Sequence, residues 1–433
     1  MIDYTTFRFS EEEDLVRILE EDFGLNVYYE IFDSEKGVNS WANRLLADNV
    51  LLSEVIAPRL YQICSEVKNK LNFTEEIDFY ITQAAYLNAF AINGFGYRAH
   101  MICFTSGLIQ CLNDDELAYV IGHEIGHLMF KHSKLNTVAG ILANSEEPVS
   151  SQIQNLFSRW DKYAEISADR MGYISQPNLE TVGKTFFKLA SGLSEEHLKF
   201  NIAEYMKQLD KIKDLSRSEL ISSHPKNLVR LKCLDLFSKS ELFATSNESA
   251  MTKDQLQEET IEVLNLEEYH PTEEWQIKAL EFIASVGMYI ASIDNKMNPN
   301  EWEKLYSMVY YHTSQPEKYL TFRDTKEIEE RKNALCEYYV QSKNDHKFRL
   351  CEIMVDIATC DGRLDEKERI ALFEIANKLN IDEDTMKRLI QKSSRNITHI
   401  PGQVVAGIEI DAFLNQMMGK KKKALPGFLG ENV

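Results

Sequence analysis

Asp114-Asp115-Glu116-Leu117-Ala118-Tyr119-Val120-Ile121-Gly122-His123-Glu124-Ile125-Gly126-His127-Leu128 reads as one amphipathic helix carrying the pattern His-Glu-x-x-His. Asn113 is placed to cap it, with Glu116 three residues on in a capping-box arrangement, and the acids of the first turn suit the positive end of the helix dipole. Residues four apart on a helix return to the same face, so His123 and His127 can present their imidazoles to one metal ion. Glu124 projects beside them, where it can take a proton from an attacking water. Zinc is the ion expected of this pattern.

The rest of the composition narrows the class. A chain of 433 residues has room for two or three domains, each with its own core, and its 44% hydrophobic content is ordinary for globular protein. No apolar run approaches the roughly 20 residues of a membrane span. Met1-Ile2-Asp3-Tyr4 lacks a basic region followed by an apolar core, so a soluble, cytoplasmic protein is expected. The 7 cysteines are scattered without a Cys-x-x-Cys pair and read as reduced core thiols. A net charge of −20 argues against nucleic acid or an anionic membrane surface as the main partner.

Upstream of the helix, Ile77-Asp78-Phe79-Tyr80-Ile81 and Met101-Ile102-Cys103-Phe104-Thr105 read as short strands. Between them Asn88-Ala89-Phe90-Ala91-Ile92-Asn93-Gly94 is extended and ends at turn residues. A small sheet thus precedes the metal helix, and an extended substrate could add itself along its edge at Asn88, Ala89 and Phe90; an ordinary buried hairpin fits these residues equally well. From Ser40 to Leu71 apolar residues recur at helical spacing, which predicts one or two long helices broken at Pro58. Residues 1–39 are strongly acidic and read as a solvated lead-in, with Ser10 and Glu13 placed to cap a short helix through Leu15, Ile18 and Leu19.

Downstream, a polar connection from His132 to Gln152 leads into a second helix with apolar Ile153, Leu156, Phe157, Trp160, Ala164, Ala168 and Met171. Glu165 and Asp169 share one face of it, and the chain between His127 and Glu165 is long enough to bring this helix back beside the first. Glu165 would complete a His/His/Glu site with one position left for water, and Asp169 could accept a hydrogen bond from a ligand imidazole. Without the histidines, a carboxylate pair on a solvated helix face would be the plainer reading.

Taken together, Asn88-Ala89-Phe90-Ala91, Thr105-Ser106-Gly107-Leu108, Glu116-Leu117-Ala118, the His123 to His127 motif and Glu165-Ile166-Ser167-Ala168-Asp169 resemble the HtpX and CaaX-prenyl-protease family of zinc peptidases, which are gluzincins. Ser223-His224-Pro225 followed by Arg230 is similar to a further segment of that family. The resemblance covers roughly residues 40 to 240. It implies His123, His127 and Glu165 as zinc ligands, Glu124 as general base and Asp169 as the hydrogen-bond partner of a ligand. His224 and Arg230 would stabilise the oxyanion or brace the site, or serve as a helix-start histidine and a structural arginine. Membrane-embedded or prenylated substrates are not implied, because the chain departs from the best-known members in lacking transmembrane helices.

After Phe237 the composition turns polar, and 238–271 reads as a linker. Beyond it a helical stretch holds a weak repeat, Ile290-Ala291-Ser292-Ile293-Asp294 against Ile357-Ala358-Thr359-Cys360-Asp361, with Asn298 and Asp365 as expected caps. Lys296 and Arg363 occupy positions where a calcium loop would need a ligand, so these are not EF-hands. They resemble the TerB-like tellurite-resistance domain, an all-helical module with acidic turns; the acids could form a metal or partner site, though capped turns account for them more simply.

The expected fold class is α+β and predominantly α-helical: a zincin-like metallopeptidase domain with a small sheet (40–237) and an all-α TerB-like domain (272–391), followed by a mobile tail (392–433). The expected function is zinc-dependent endoproteolysis of cytoplasmic proteins or peptides, with 272–391 recruiting a protein partner or regulating the enzyme. A zinc-bound, catalytically silent, stress-related scaffold acting through the TerB-like domain is the alternative.

Overall fold

Met101-Ile102-Cys103-Phe104 is an unbroken apolar run, and it becomes an inner strand of the sheet. The computed structural model describes residues 4–32, 45, 47–94, 99–144, 148–197, 199–214, 225–244, 250–293, 296–342, 346–394 and 408–409. Its strands β1 (Val50–Leu51), β2 (Ile77–Thr82), β3 (Ala89–Ile92) and β4 (His100–Thr105) pair in the order β1-β2-β4-β3. β4 is buried at every position, runs parallel to β2 and antiparallel to β3. Among the described residues β3 is therefore an outer strand.

The chain divides into two compact units, Met1–Pro148 with Leu156–Glu267, and Val149–Asn155 with Glu268–Val433. The first holds the sheet and helices α1 (Ser10–Arg17), α2 (Pro58–Lys70), α3 (Asp114–Met129), α4 (His132–Ala143), most of α5 (Ser151–Ser175), α6 (Leu179–Ser191), α7 (Asn227–Ser238) and α8 (Lys253–Leu264). Its core joins Phe79, Ile102 and Phe104 of the sheet to Leu117, Ile121 and Ile125 of α3, Phe186 of α6 and Leu231 and Phe237 of α7. Each such side chain contributes roughly 1.5–3 kcal/mol on burial. Asn113 and Glu116 form the anticipated capping box at the start of α3. Glycines let α3 and α5 approach: a Cβ at Gly122 would fall 2.1 Å from Ser175 Oγ, and one at Gly126 would fall 3.0 Å from the Ala168 Cα. That closeness brings Glu165 of α5 within reach of the histidines of α3.

Three stretches differ from the sequence reading. Val50 and Leu51, expected in a helix, form an edge strand on β2, and Pro58 opens α2 at its first turn, where its missing N–H costs nothing. The described part of the acidic stretch 1–39, residues 4–32, is not a solvated lead-in: Phe9, Leu15 and Leu19 are buried, and so is Glu12, which finds polar partners inside. Ser10 does not cap α1, which is preceded by Phe9 with its backbone N–H bonded to Ser167 Oγ at 2.9 Å. The stretch 238–271 carries α8, opened by a Thr252–Gln255 capping box, with Leu256 and Leu264 buried.

The second unit is helical: α9 (Glu274–Ala291), α10 (Pro299–His312), α11 (Thr325–Gln341), α12 (His346–Ala358), α13 (Glu366–Lys378) and α14 (Glu383–Ser394) surround Phe282, Val286, Leu305, Ile357 and Leu372. Asn298 and Asp365 cap α10 and α13 through boxes completed by Glu301 and Glu368. Burial and a hydrogen bond to Glu368 hold the Glu301 carboxyl far above the usual carboxylate range. Asp361 accepts from the Arg363 backbone N–H at 2.8 Å, while Asp294 lies outside the described residues. Of the tail, Ile408–Glu409 pairs with Lys296–Met297. No helix among the described residues is long and apolar enough to cross a membrane.

Candidate metal centre

On α3 the 3.6-residue period stacks His123 over His127, and their Nε2 atoms lie 3.0 Å apart. Glu165, presented by α5, places its carboxylate against both, with Oε2 3.6 Å from His123 Nε2 and Oε1 3.4 Å from His127 Nε2. One donor atom from each of the three lies within 4.8 Å of the others. Two imidazoles and a carboxylate are the donor set of an open, three-ligand site, so the residues fit a divalent ion.

The opposite ring nitrogen of each histidine is already engaged, which aims Nε2 inward. His123 Nδ1 is 2.9 Å from Asp169 Oδ1. Asp169 in turn accepts from Tyr119 Oη at 2.8 Å and from Arg230 through Nε at 2.8 Å and Nη2 at 2.5 Å. Burial opposes ionisation of Asp169, but the Arg230 guanidinium and His123 outweigh it and hold the carboxyl below its ordinary range. Arg230, on α7, also reaches Glu165 Oε2 at 3.0 Å and lies 4.9 Å over the Phe186 ring. The guanidinium thus braces both acids of the site.

His127 has a different support. Its Nδ1 lies 2.8 Å from Nδ1 of His132, whose Nε2 lies 3.0 Å from Glu12 Oε1. Lys131, in the left-handed region at φ 59°, turns the chain between α3 and α4 and sets His132 back against His127. Glu12 further accepts from Arg8 Nε at 3.0 Å and from the Ser167 hydroxyl. Burial alone would push the Glu12 carboxyl up, yet His132 and Arg8 hold it down at about 2.

That value predicts an acid sensitivity. Since the folded pKa lies below the usual 4.5, the unfolded chain binds the extra proton between these values, and stability of about 3 kcal/mol present above pH 4.5 is lost as pH falls through 4.5 toward 2. The thermal midpoint of the full chain is expected to drop over this window, and Glu12→Gln to flatten the drop. A variant falling as steeply as the wild type would remove Glu12 from this role.

Glu124 is buried beside the ligands and faces a cleft of about 330 Å³ lined also by Asn88, Ala89, Phe90, Ala91 and Phe186. Desolvation is the largest influence on its carboxyl and raises its pKa. The cleft therefore brings together His123, Glu124, His127, Glu165, Arg230 and the edge residues Asn88, Ala89 and Phe90. Asp169 stands behind it, and His224 lies outside the described residues. Asn93, just past β3, ties that strand to both α4 and the metal helix, its backbone N–H donating to Ser133 Oγ at 2.7 Å and its Nδ2 to the Leu128 carbonyl at 2.9 Å. Sequence reasoning missed Tyr119, His132 and Glu12. His132 could have been noticed five residues after His127, and Tyr119 one turn before His123; nothing near Glu12 signals its part.

Residues 56–237 match the sequence profile of Peptidase family M48, and residues 281–391 match that of Tellurite resistance protein TerB. The chain is 27% identical over 214 residues to the plastoglobule-localized metallopeptidase 48 of Arabidopsis thaliana, spanning 45% of this chain and 61% of that protein. It is 34% identical over 116 residues to a protease HtpX homolog of Helicobacter acinonychis, spanning 27% and 32% of the two chains. A protease HtpX homolog of Pyrococcus abyssi is 29% identical over 171 residues, 38% of this chain and 55% of its own. The chain thus spans less than two thirds of the length of these relatives. No solved structure matches it. The motif-based resemblance to HtpX-type peptidases with an appended TerB-like module is borne out, and every ligand of the candidate centre lies inside the first matched region.

Proposed function

We propose, from a chain that pairs a region of Peptidase family M48 with a TerB-type helical region, that it is a zinc-dependent endopeptidase acting on proteins of the cytoplasm, with the helical domain recruiting or regulating. The observation that carries this reading is the convergence of His123, His127 and Glu165 beside a buried Glu124, in a cleft flanked by an edge strand. His123, His127 and Glu165 would hold the zinc, which when bound would supply Lewis-acid polarisation of the scissile carbonyl and a lowered pKa for the attacking water. Glu124 takes the proton of that water on its carboxylate and returns it to the leaving amine. Tyr119 and Arg230 are engaged with Asp169, so they act through His123 and Glu165.

The test is cleavage of an unfolded protein by the zinc-loaded full chain, abolished by a chelator and restored by zinc. Cleavage that ignores the chelator would sink the reading; zinc uptake without cleavage of any unfolded protein or peptide would favour the silent scaffold.

The edge strand predicts how substrate is held. The Asn88 carbonyl accepts from the Thr105 N–H at 3.0 Å, so by antiparallel alternation Phe90 also faces β4 while Ala89 and Ala91 turn their amides outward. Ala91→Pro removes one outward N–H without breaking a ladder bond. KM for an extended peptide is expected to rise about tenfold, with zinc content unchanged; an unaltered KM would place the substrate elsewhere.

A further inference from the structure

The two metal-facing histidines are aimed by different parts of the chain. Asp169, inside the family-matched region, holds His123. For His127 the line runs to residue 12, ahead of residue 56 where that region begins. We propose that His132 and Glu12 are positioning residues for the metal site, a buried hydrogen-bond line from the N-terminal segment that fixes His127 in the tautomer whose Nε2 lone pair faces His123 and Glu165.

The proton bookkeeping follows from the geometry. Two ring nitrogens 2.8 Å apart, His127 Nδ1 and His132 Nδ1, must share a single hydrogen. The Glu12 carboxylate only accepts, so His132 Nε2, 3.0 Å away, carries its hydrogen there. When His132 is neutral, its Nδ1 therefore holds a lone pair and receives from His127 Nδ1–H. His127 is left with its lone pair on Nε2, where Glu165 and His123 converge. His132 is 1% exposed and Glu12 0%, so solvent cannot take over either role.

The segment bearing Glu12 is fastened to α5 at residues 7, 9 and 12. The Phe9 N–H donates to Ser167 Oγ at 2.9 Å, the Ser167 hydroxyl donates to Glu12, and Arg170 donates to the Phe7 carbonyl at 3.1 Å. Ser167 and Arg170 sit on α5, the same helix that presents Glu165 and Asp169. The N-terminal segment is therefore a strap across the back of the metal site.

This inference rests on the metal reading above, and its test separates the two. Zinc affinity of the full chain is measured by chelator competition in the wild type, His132→Phe, His132→Gln and Glu12→Gln, with the melting of each metal-free form and the cobalt(II) d–d spectrum recorded alongside. His132→Phe keeps an aromatic ring against Trp160 but offers no acceptor, and a loss of about 10- to 100-fold in affinity is expected with the metal-free melt retained. His132→Gln, whose side-chain carbonyl can accept from His127 Nδ1–H, should recover most of that loss, and the cobalt bands should shift in the Phe variant and return toward wild type in the Gln variant. Glu12→Gln, of nearly the same shape, should cost about threefold or more. If His132→Phe does not fold, Glu12→Gln alone decides. Affinities within about twofold of wild type in every folded variant would overturn the proposal while leaving the metal site standing. A wild type that takes up no zinc would overturn both.

Discussion

Glu124→Gln is expected to keep one zinc per chain and to lose about 10²- to 10⁴-fold in kcat for peptide cleavage, the usual span for removing a positioned general base. Glutamine matches glutamate in shape, so the buried site beside His123 and His127 stays filled. What disappears is a carboxylate able to accept a proton and give it back. Metal retention follows because the donor cluster comprises His123, His127 and Glu165 without Glu124. Zinc content by elemental analysis and turnover of an unfolded protein, measured on one preparation, check the two halves. Cleavage at the wild-type rate would refute the proposed mechanism, and loss of zinc would make Glu124 a structural part of the site.

Glu165→Ala should weaken zinc binding by more than the roughly 10- to 100-fold typical of an outer partner, with activity falling in step. Two effects act in the same direction. The site loses the carboxylate of its donor cluster, and Arg230, 3.0 Å from Glu165 Oε2, loses an acid that balances its buried charge. That guanidinium would then repel a cation bound by the histidines. Dialysis against a weak chelator followed by metal analysis reads the effect, with the metal-free melt as control. Full zinc and full activity in the variant would show that a different acid completes the site.

What the sequence made legible was the part of the site whose spacing is set by a single helix. His123 and His127, and likewise Glu165 and Asp169, are each four residues apart, and the 3.6-residue period places each pair on one face whatever the rest of the chain does. The capping pairs Asn113 with Glu116, Asn298 with Glu301 and Asp365 with Glu368 were readable for the same local reason. The strands at 77–82 and 100–105 were marked by apolar, β-favouring runs.

Other features depend on distant partners and leave little local trace. Glu12 sits in an acidic stretch that reads as solvated, and its burial is decided by His132, 120 residues away, and by Ser167, 155 residues away. α8 hides in a polar segment because only Leu256, Thr260 and Leu264, one narrow stripe, are buried. Val50 and Leu51 sit among apolar residues at helical spacing, and their pairing with Tyr80 and Ile81 is a long-range fact. The close packing of α3 on α5 follows from Gly122 and Gly126, whose role shows only once Ser175 and Ala168 are known to face them.

The central claim is that one metal ion joins α3 to α5 through His123, His127 and Glu165. Anomalous diffraction at the zinc edge, from crystals of the full chain grown with one equivalent of zinc, tests it most directly. A single peak is expected at about 2.0–2.2 Å from His123 Nε2, His127 Nε2 and a Glu165 carboxylate oxygen. Zinc located on other residues, or crystals in which these three side chains point apart, would contradict it.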